Sequence, residues 1–191
     1  MDKIQASFQR RKNLKNSPIL ASLCALLLMT SLASSFFKNP EEEIIFTDPE
    51  KLVRGLYASV TFEPGTVPNW ENVGRFFIPE VIFAVRQTRT SMAVLDWDGF
   101  VAWWESDIER HKMKEKGFVE SVEKMKMTIY GNIAQVFVVY KARFMTPDNL
   151  PGQLGLDSFS LMKKDGRWWI VSLANDVITP DNPLPDDLQI K

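Results

Sequence analysis

The stretch from Gly155 to Pro185 reads GLDSFSLMKKDGRWWIVSLANDVITPDNPLP and holds two runs of strand-forming residues joined by Asp165-Gly166. Asp-Gly supplies the positive φ angles of a type I′ turn, so the two runs are predicted to form a tight hairpin. The predicted register pairs Lys163 with Trp168, Leu161 with Ile170, Phe159 with Ser172 and Asp157 with Ala174. Both faces of this hairpin carry large apolar side chains, so neither face is expected to be fully open to water.

Helix caps and turn residues predict the elements that precede this hairpin. Asp48 and Asp96 are capping residues, and each is followed by apolar residues at helical spacing. The other predicted elements are a short helix from Trp70 to Phe77, strands from Val81 to Arg86 and from Thr90 to Leu95, and long strands from Phe118 to Tyr130 and from Ile133 to Phe144. This order predicts an α+β fold, in which about three helices lie on one face of a curved antiparallel sheet.

The two long strands flank Gly131-Asn132, a pair suited to a two-residue hairpin turn. With that turn, one face is mostly apolar and carries Glu123 directly opposite Tyr140. The other face carries Glu120 and several lysines, so it is expected to be partly wet. A slip of one residue would exchange the two faces, so this prediction depends on the register.

Residues 1–33 have the pattern of a secretory signal peptide: a basic start, an apolar run from Ile19 to Ala33, and small residues before Ser34. The alternative is an uncleaved membrane anchor over residues 19–37. The first interpretation predicts an exported protein, periplasmic or secreted, and the second a membrane-anchored one. Cys24, the only cysteine, would be removed with the signal peptide. Residues 34–47 are interpreted as a solvated linker.

Composition limits the classes of function. The length of 191 residues, 45% of them hydrophobic, suits one domain. Without residues 1–33 the chain keeps 18 basic and 23 acidic residues, a net charge of −5, whereas nucleic-acid binding needs concentrated positive charge. One histidine and no paired cysteines give no recognisable metal motif, and no nucleotide or dinucleotide glycine pattern is present. We therefore predict no metal, no cofactor and no nucleic-acid partner.

The order of elements and three segments resemble the nuclear transport factor 2-like superfamily, in its SnoaL-like form. The segments are LVRGLYASV after the Asp48 cap, YGNIAQVFVVY, and DSFSLMKKDGRWWIVSL with its DNPLP tail. The resemblance covers residues 48–185, and the domain is predicted over residues 48–179, followed by a proline-rich tail over residues 180–191. It implies a cone-shaped sheet around helices, with an apolar pocket at the open end. It also implies enzymes that use acidic, histidine or tyrosine side chains without a cofactor.

Four residues are candidates for chemistry in such a pocket: Asp157, Glu123, Tyr140 and His111. A carboxyl group among apolar neighbours has a raised pKa and can act as a general acid or base, and a carboxylate beside a phenol can position a ligand oxygen. For each candidate a purely structural role is the competing interpretation. The predicted pocket-lining residues are Tyr57, Trp104, Phe159, Trp168 and Ile170.

The outer face of the last strand is predicted to carry Trp169, Val171 and Leu173, which need cover. Sheet-to-sheet homodimerisation through this face is the simplest expectation. Three functions follow from the sequence. The first is binding of a small apolar ligand, the second is cofactor-independent acid–base catalysis of the lyase or isomerase type, and the third is a structural dimerisation module.

Overall fold

A six-stranded mixed sheet, curved and not closed into a barrel, is the frame of the protein. The computed structural model describes residues 40–145 and 152–190, and the fold lies in the compact unit Glu43–Lys191. The helices are α1 (Pro40–Thr47), α2 (Pro49–Val60), α3 (Trp70–Gly74), α4 (Trp97–Arg110) and α5 (Met113–Lys116). The strands are β1 (Phe77–Thr88), β2 (Ser91–Leu95), β3 (Phe118–Tyr130), β4 (Ile133–Phe144), β5 (Gln153–Lys164) and β6 (Arg167–Val177).

The strand order across the sheet is β2-β1-β6-β5-β4-β3. Every neighbouring pair is antiparallel except β1 and β6, which run parallel. The predicted α+β fold is confirmed, with this one parallel pair as the departure from a wholly antiparallel sheet. The chain returns to β1 only with its last strand, β6, which completes the second long hairpin and runs in the same direction as β1.

Two capped helices supply the apolar surface that the sheet covers. The Asp48 side chain accepts a hydrogen bond from the backbone N–H of Lys51 at 2.9 Å, and Asp96 accepts one from Gly99 at 2.9 Å. Both predicted helix starts are therefore confirmed. The buried side of α2 carries Leu52, Val53, Leu56, Tyr57 and Val60, and that of α4 carries Phe100, Trp104 and Ile108.

Two predicted boundaries are wrong. Residues 40–47, predicted as linker, form α1, and Phe46 is buried in the main core. The short helix predicted to reach Phe77 ends at Gly74, because Phe77 pairs with Ile170 and begins β1. Pro79 lies inside that strand on an exposed stretch, where its missing N–H costs little. The predicted signal peptide or anchor and Cys24 lie outside the described residues.

The first long hairpin has the predicted register near its turn and loses it further away. Tyr130 pairs with Ile133 as predicted, but a β-bulge at Glu123 makes Val122 the partner of Tyr140. Beyond the bulge, the alternation of faces in β3 is reversed, so Glu120 joins the inner face opposite Ala142. The predicted wet position of Glu120 and the predicted Glu123–Tyr140 pair are therefore both wrong. The bulge also places Phe118 in the core instead of the smaller Val119, and burial of the larger apolar side chain stabilises the bulged register.

The second hairpin repeats this behaviour. Its turn is confirmed, since φ is 54° at Asp165 and 80° at Gly166. Leu161 pairs with Ile170 as predicted, but Val171 then forms a bulge, and Asp157 pairs with Asn175 instead of Ala174.

The Val171 bulge turns Leu173 inward, where it is buried, and leaves Ser172 on the outer face. The predicted outer position of Leu173 is therefore wrong. Burial of a leucine in place of a serine gives the bulge its physical reason.

The tail after β6 lies against the sheet. A 3₁₀ turn at Asp186–Leu188 contacts β3, and Leu188 is buried outside the main core. Lys126 forms an ion pair with Asp187, and the Lys124 ammonium donates to the Gln189 carbonyl at 2.7 Å. Within residues 40–145 and 152–190, no helix is long and apolar enough to cross a bilayer.

Candidate active site

A cavity of about 600 Å³ lies between α2, α4 and the inner face of the sheet. Its size is within the range of small-molecule sites. The exposed residues Gln87, Arg89 and Gln153 form part of its lining, so the cavity opens to solvent there. Nine aromatic residues form part of its wall: Tyr57, Phe77, Phe100, Trp103, Trp104, Phe118, Tyr140, Phe144 and Phe159.

Asp157 is the buried acid of this cavity and is only 6% exposed. The Tyr57 hydroxyl donates to Asp157 Oδ2 at 2.5 Å, and the Asn175 amide Nδ2 donates to Oδ1 at 2.7 Å. Burial raises the pKa of Asp157 to about 6, and the two donated hydrogen bonds oppose a larger increase. At neutral pH the group is therefore an ionised carboxylate with both oxygens held in place.

Tyr140 lies beside this pair, on the neighbouring strand β4 and on the same inner face as Asp157. Its hydroxyl oxygen accepts a hydrogen bond from the same Asn175 Nδ2, at 2.9 Å. The rings of Tyr57 and Tyr140 have centroids 6.3 Å apart. Burial, with the negative charge of Asp157 as a second cause, raises the pKa of both tyrosines above the usual value, so both stay protonated.

Besides Asp107, which pairs with Arg110 and His111, Glu120 is the other acid in the cavity lining. Its carboxyl group has no hydrogen-bond or ion-pair partner among the described residues. Burial raises the pKa of Glu120 to about 8, and the negative charge of Asp157 adds to the increase. At neutral pH Glu120 is therefore mostly a neutral acid that can donate a proton.

The structure brings together two of the four predicted chemical residues, Asp157 and Tyr140. His111 lies on the cavity rim, half-exposed, with its Nε2 3.5 Å from the Asp107 carboxylate, and it is separate from the Asp157 network. Glu123 is exposed on the bulge and accepts a hydrogen bond from the Ser121 hydroxyl at 2.6 Å. Its predicted place in the cavity is wrong because the bulge assigns that face to Glu120.

Of the predicted pocket-lining residues, Tyr57, Trp104 and Phe159 line the cavity. Trp168 and Ile170 are buried in the core but do not line it, so that part of the prediction is wrong. They lie on the turn side of the Val171 bulge, away from the end of the hairpin that borders the cavity.

Glu120 and Asn175 are the site residues that strict alternation along the strands does not predict. Each enters the inner face only because a bulge lies between it and the turn of its hairpin. The sequence offers one clue for each: Phe118 and Leu173 are larger apolar residues than the neighbours that an undisturbed register would bury. Among the described residues, no group of three or more His, Asp or Glu side chains is placed to hold a metal ion.

Solved structures of low sequence identity share this architecture. An NTF2-like protein with a cystatin-like fold from Novosphingobium aromaticivorans matches with a TM-score of 0.53 and 13% identity, over 80% of this chain and 93% of its own. The chain has the NTF-2-like fold. The resemblance drawn from the sequence is thereby confirmed at the level of the fold.

Two further proteins support the NTF-2-like fold. A protein of unknown function with a cystatin-like fold from Nostoc punctiforme matches with a TM-score of 0.52 and 12% identity, over 76% of this chain and 95% of its own. An NTF-2-like protein of unknown function from Pseudomonas aeruginosa matches with a TM-score of 0.51 and 12% identity, over 68% and 98%. No family model matches the chain, and no curated protein matches it significantly.

Proposed function

We propose that this protein is a cofactor-independent acid–base enzyme of the lyase or isomerase class, acting on a small, mostly apolar molecule that carries a carbonyl group. One observation supports this proposal above the others. Asp157 and Glu120 line the same cavity, and their environments separate their pKa values, to about 6 for Asp157 and about 8 for Glu120. Such a separation assigns one group as a base and the other as an acid at neutral pH.

The proposed reaction moves one proton in each direction. The Asp157 carboxylate takes a proton from the carbon next to the substrate carbonyl, and the C–H electron pair moves toward the carbonyl oxygen. Glu120 gives its proton to that oxygen, which yields an enol. In an isomerisation of a β,γ-unsaturated ketone, Asp157 returns its proton to a different carbon of the dienol, and Glu120 takes back the enol proton. In an elimination, Asp157 gives its proton to the hydroxyl group on the neighbouring carbon, which leaves as water, and Glu120 takes back the enol proton.

Tyr57 and Asn175 are positioning residues in this scheme, because they fix the two oxygens of the base. Each carboxylate oxygen has a second lone-pair direction, so Asp157 can accept a substrate proton without losing these bonds. The aromatic wall provides the binding energy for the apolar part of the substrate.

The aromatic wall also favours a second candidate, binding of a small apolar ligand without chemistry. Simple binding gives no role to the Asp157 and Glu120 carboxyl groups, the second of which has no partner within residues 40–145 and 152–190. An open cavity of about 600 Å³ likewise gives little support to a purely structural module with a filled cone. The polar groups therefore rank acid–base catalysis first and ligand binding second.

Deuterium exchange into a ketone tests the proposal without knowledge of the natural substrate. The probe is 2-tetralone in D₂O, followed by proton NMR, with tryptophan fluorescence reporting entry into the cavity beside Trp103 and Trp104. We expect exchange next to the carbonyl, with a bell-shaped pH profile whose limbs lie near pH 6 and pH 8.

Matched variants make the test specific. Asp157→Asn and Glu120→Gln should each remove most of the exchange, whereas Glu123→Gln on the same strand should keep it, because Glu123 is exposed outside the cavity. Exchange that continues at the wild-type rate in Asp157→Asn would refute the assignment of the base. Quenching of tryptophan fluorescence without any exchange would instead support the binding candidate.

A further inference from the structure

The two buried tyrosines of the cavity use their hydroxyl protons differently. Because the ionised Asp157 carboxylate can only accept hydrogen bonds, the Asn175 amide must face it with the nitrogen and not with the oxygen. The same nitrogen reaches the Tyr140 oxygen, so that oxygen is an acceptor. Tyr57 must likewise donate to Asp157. The Tyr57 proton is therefore engaged within the protein.

The Tyr140 proton has no acceptor among the described residues. Its oxygen already accepts from Asn175, and the residue lines the cavity. A hydroxyl that accepts one hydrogen bond still offers its proton to a further partner. Leaving such a donor buried and unused is unfavourable, so the position suits an acceptor atom of a bound molecule.

Gly155 fixes the place of the Tyr140 ring. The two residues are directly opposite each other on β5 and β4, both toward the inner face. A Cβ atom at position 155 would lie 2.1 Å from Tyr140 Cζ and 2.2 Å from its hydroxyl oxygen. Only glycine leaves room for the phenol where it reaches Asn175.

We infer that Tyr140 donates its hydroxyl proton in a hydrogen bond to an oxygen of the bound molecule, and that Asn175 and Gly155 are its positioning residues. The ligand class is therefore a mostly apolar molecule with an acceptor oxygen, such as that of a carbonyl group, placed against the Tyr140 hydroxyl. This inference rests on the proposed function only for the presence of that oxygen. It assigns no further proton transfer.

A matched pair of probes tests the hydrogen bond directly. We would measure binding of 2-tetralone, labelled with ¹³C at the carbonyl, and of tetralin, which has the same rings without the oxygen. Infrared spectroscopy of bound 2-tetralone should show the carbonyl stretch at lower frequency than in a non-hydrogen-bonding solvent. Tyr140→Phe should reduce this shift to the part that Glu120 produces and weaken 2-tetralone binding about five- to tenfold, with tetralin binding unchanged.

The positioning roles have their own variants. Tyr57→Phe is the control, because it removes the other hydroxyl of the same cavity and should leave the carbonyl shift in place. Gly155→Ala should reduce the carbonyl shift as Tyr140→Phe does, and in a Tyr140→Phe background it should leave the shift at the value of Tyr140→Phe alone. Asn175→Ala should broaden the carbonyl band and reduce its shift. If Gly155→Ala does not fold, Asn175→Ala tests the positioning of Tyr140 by itself.

Each outcome supports or overturns the inference. A carbonyl shift of unchanged size in Tyr140→Phe, or one that Tyr57→Phe reduces equally, overturns it. If neither probe binds, both this inference and the proposed function fail. A carbonyl shift that depends on Tyr140, without deuterium exchange, supports the inference and ends the proposed catalysis. If deuterium exchange and the carbonyl shift are both unaffected in Tyr140→Phe, the proposed catalysis is supported and the inference about Tyr140 is overturned.

Discussion

Substitution of Glu120 by glutamine should make the protein more stable in alkaline solution. The pKa of Glu120 is about 8 in the folded protein, against an ordinary value of 4.5. The folded state therefore keeps a proton that the unfolded state releases, so stability is full below pH 4.5 and falls as the pH rises to about 8. Glutamine has nearly the same shape and no charge, and it removes this loss.

The size of the effect follows from the pKa values. Each pH unit between them is worth about 1.4 kcal/mol, so Glu120 lowers the free energy of unfolding by about 4 kcal/mol between pH 5 and pH 9. Water entering the cavity screens the charge and reduces the observed value toward about 2 kcal/mol. Asp157, with a pKa of about 6, also lowers the free energy of unfolding as the pH rises to about 6. This loss should remain in Glu120→Gln.

Urea denaturation at a series of pH values, followed by tryptophan fluorescence, measures this quantity. The free energy of unfolding of the wild type should fall between pH 6 and pH 9, and that of Glu120→Gln should stay nearly level. Glu123→Gln is the matched control, because it makes the same chemical change at an exposed position three residues away. Parallel pH profiles for wild type and Glu120→Gln would refute the burial of an acid with a raised pKa.

Four further outcomes are expected. Gly155→Ala should lower the free energy of unfolding by about 1–3 kcal/mol in urea, because Tyr140 must move; an unchanged value would contradict the close approach. Leu188→Ala should cost about 2 kcal/mol by the same assay, and no loss would show that the tail does not stabilise the fold. We propose homodimerisation through the outer sheet face, so Trp169→Glu should shift sedimentation toward monomer; a wild-type monomer at high concentration would end that proposal. N-terminal sequencing of the native protein should find Ser34 first, whereas an intact start would contradict cleavage.

The sequence by itself determined the local features. Asp48 and Asp96 cap helices where a capping side chain meets free backbone N–H groups, and Asp165-Gly166 makes the turn that its φ angles require. Such features depend on a few neighbouring residues, so they can be read along the chain. The strand pairing next to each turn, the fold class and the burial of Asp157 follow from the same local logic.

Only the tertiary structure decided where the alternation of faces breaks. The bulges at Glu123 and Val171 occur where burying Phe118 and Leu173 against the rest of the core outweighs a regular ladder. That competition involves residues distant in sequence, so the alternation of apolar and polar residues along one strand does not predict the position of a bulge. It brings Glu120 and Asn175 into the cavity, and with them the groups that complete the candidate site.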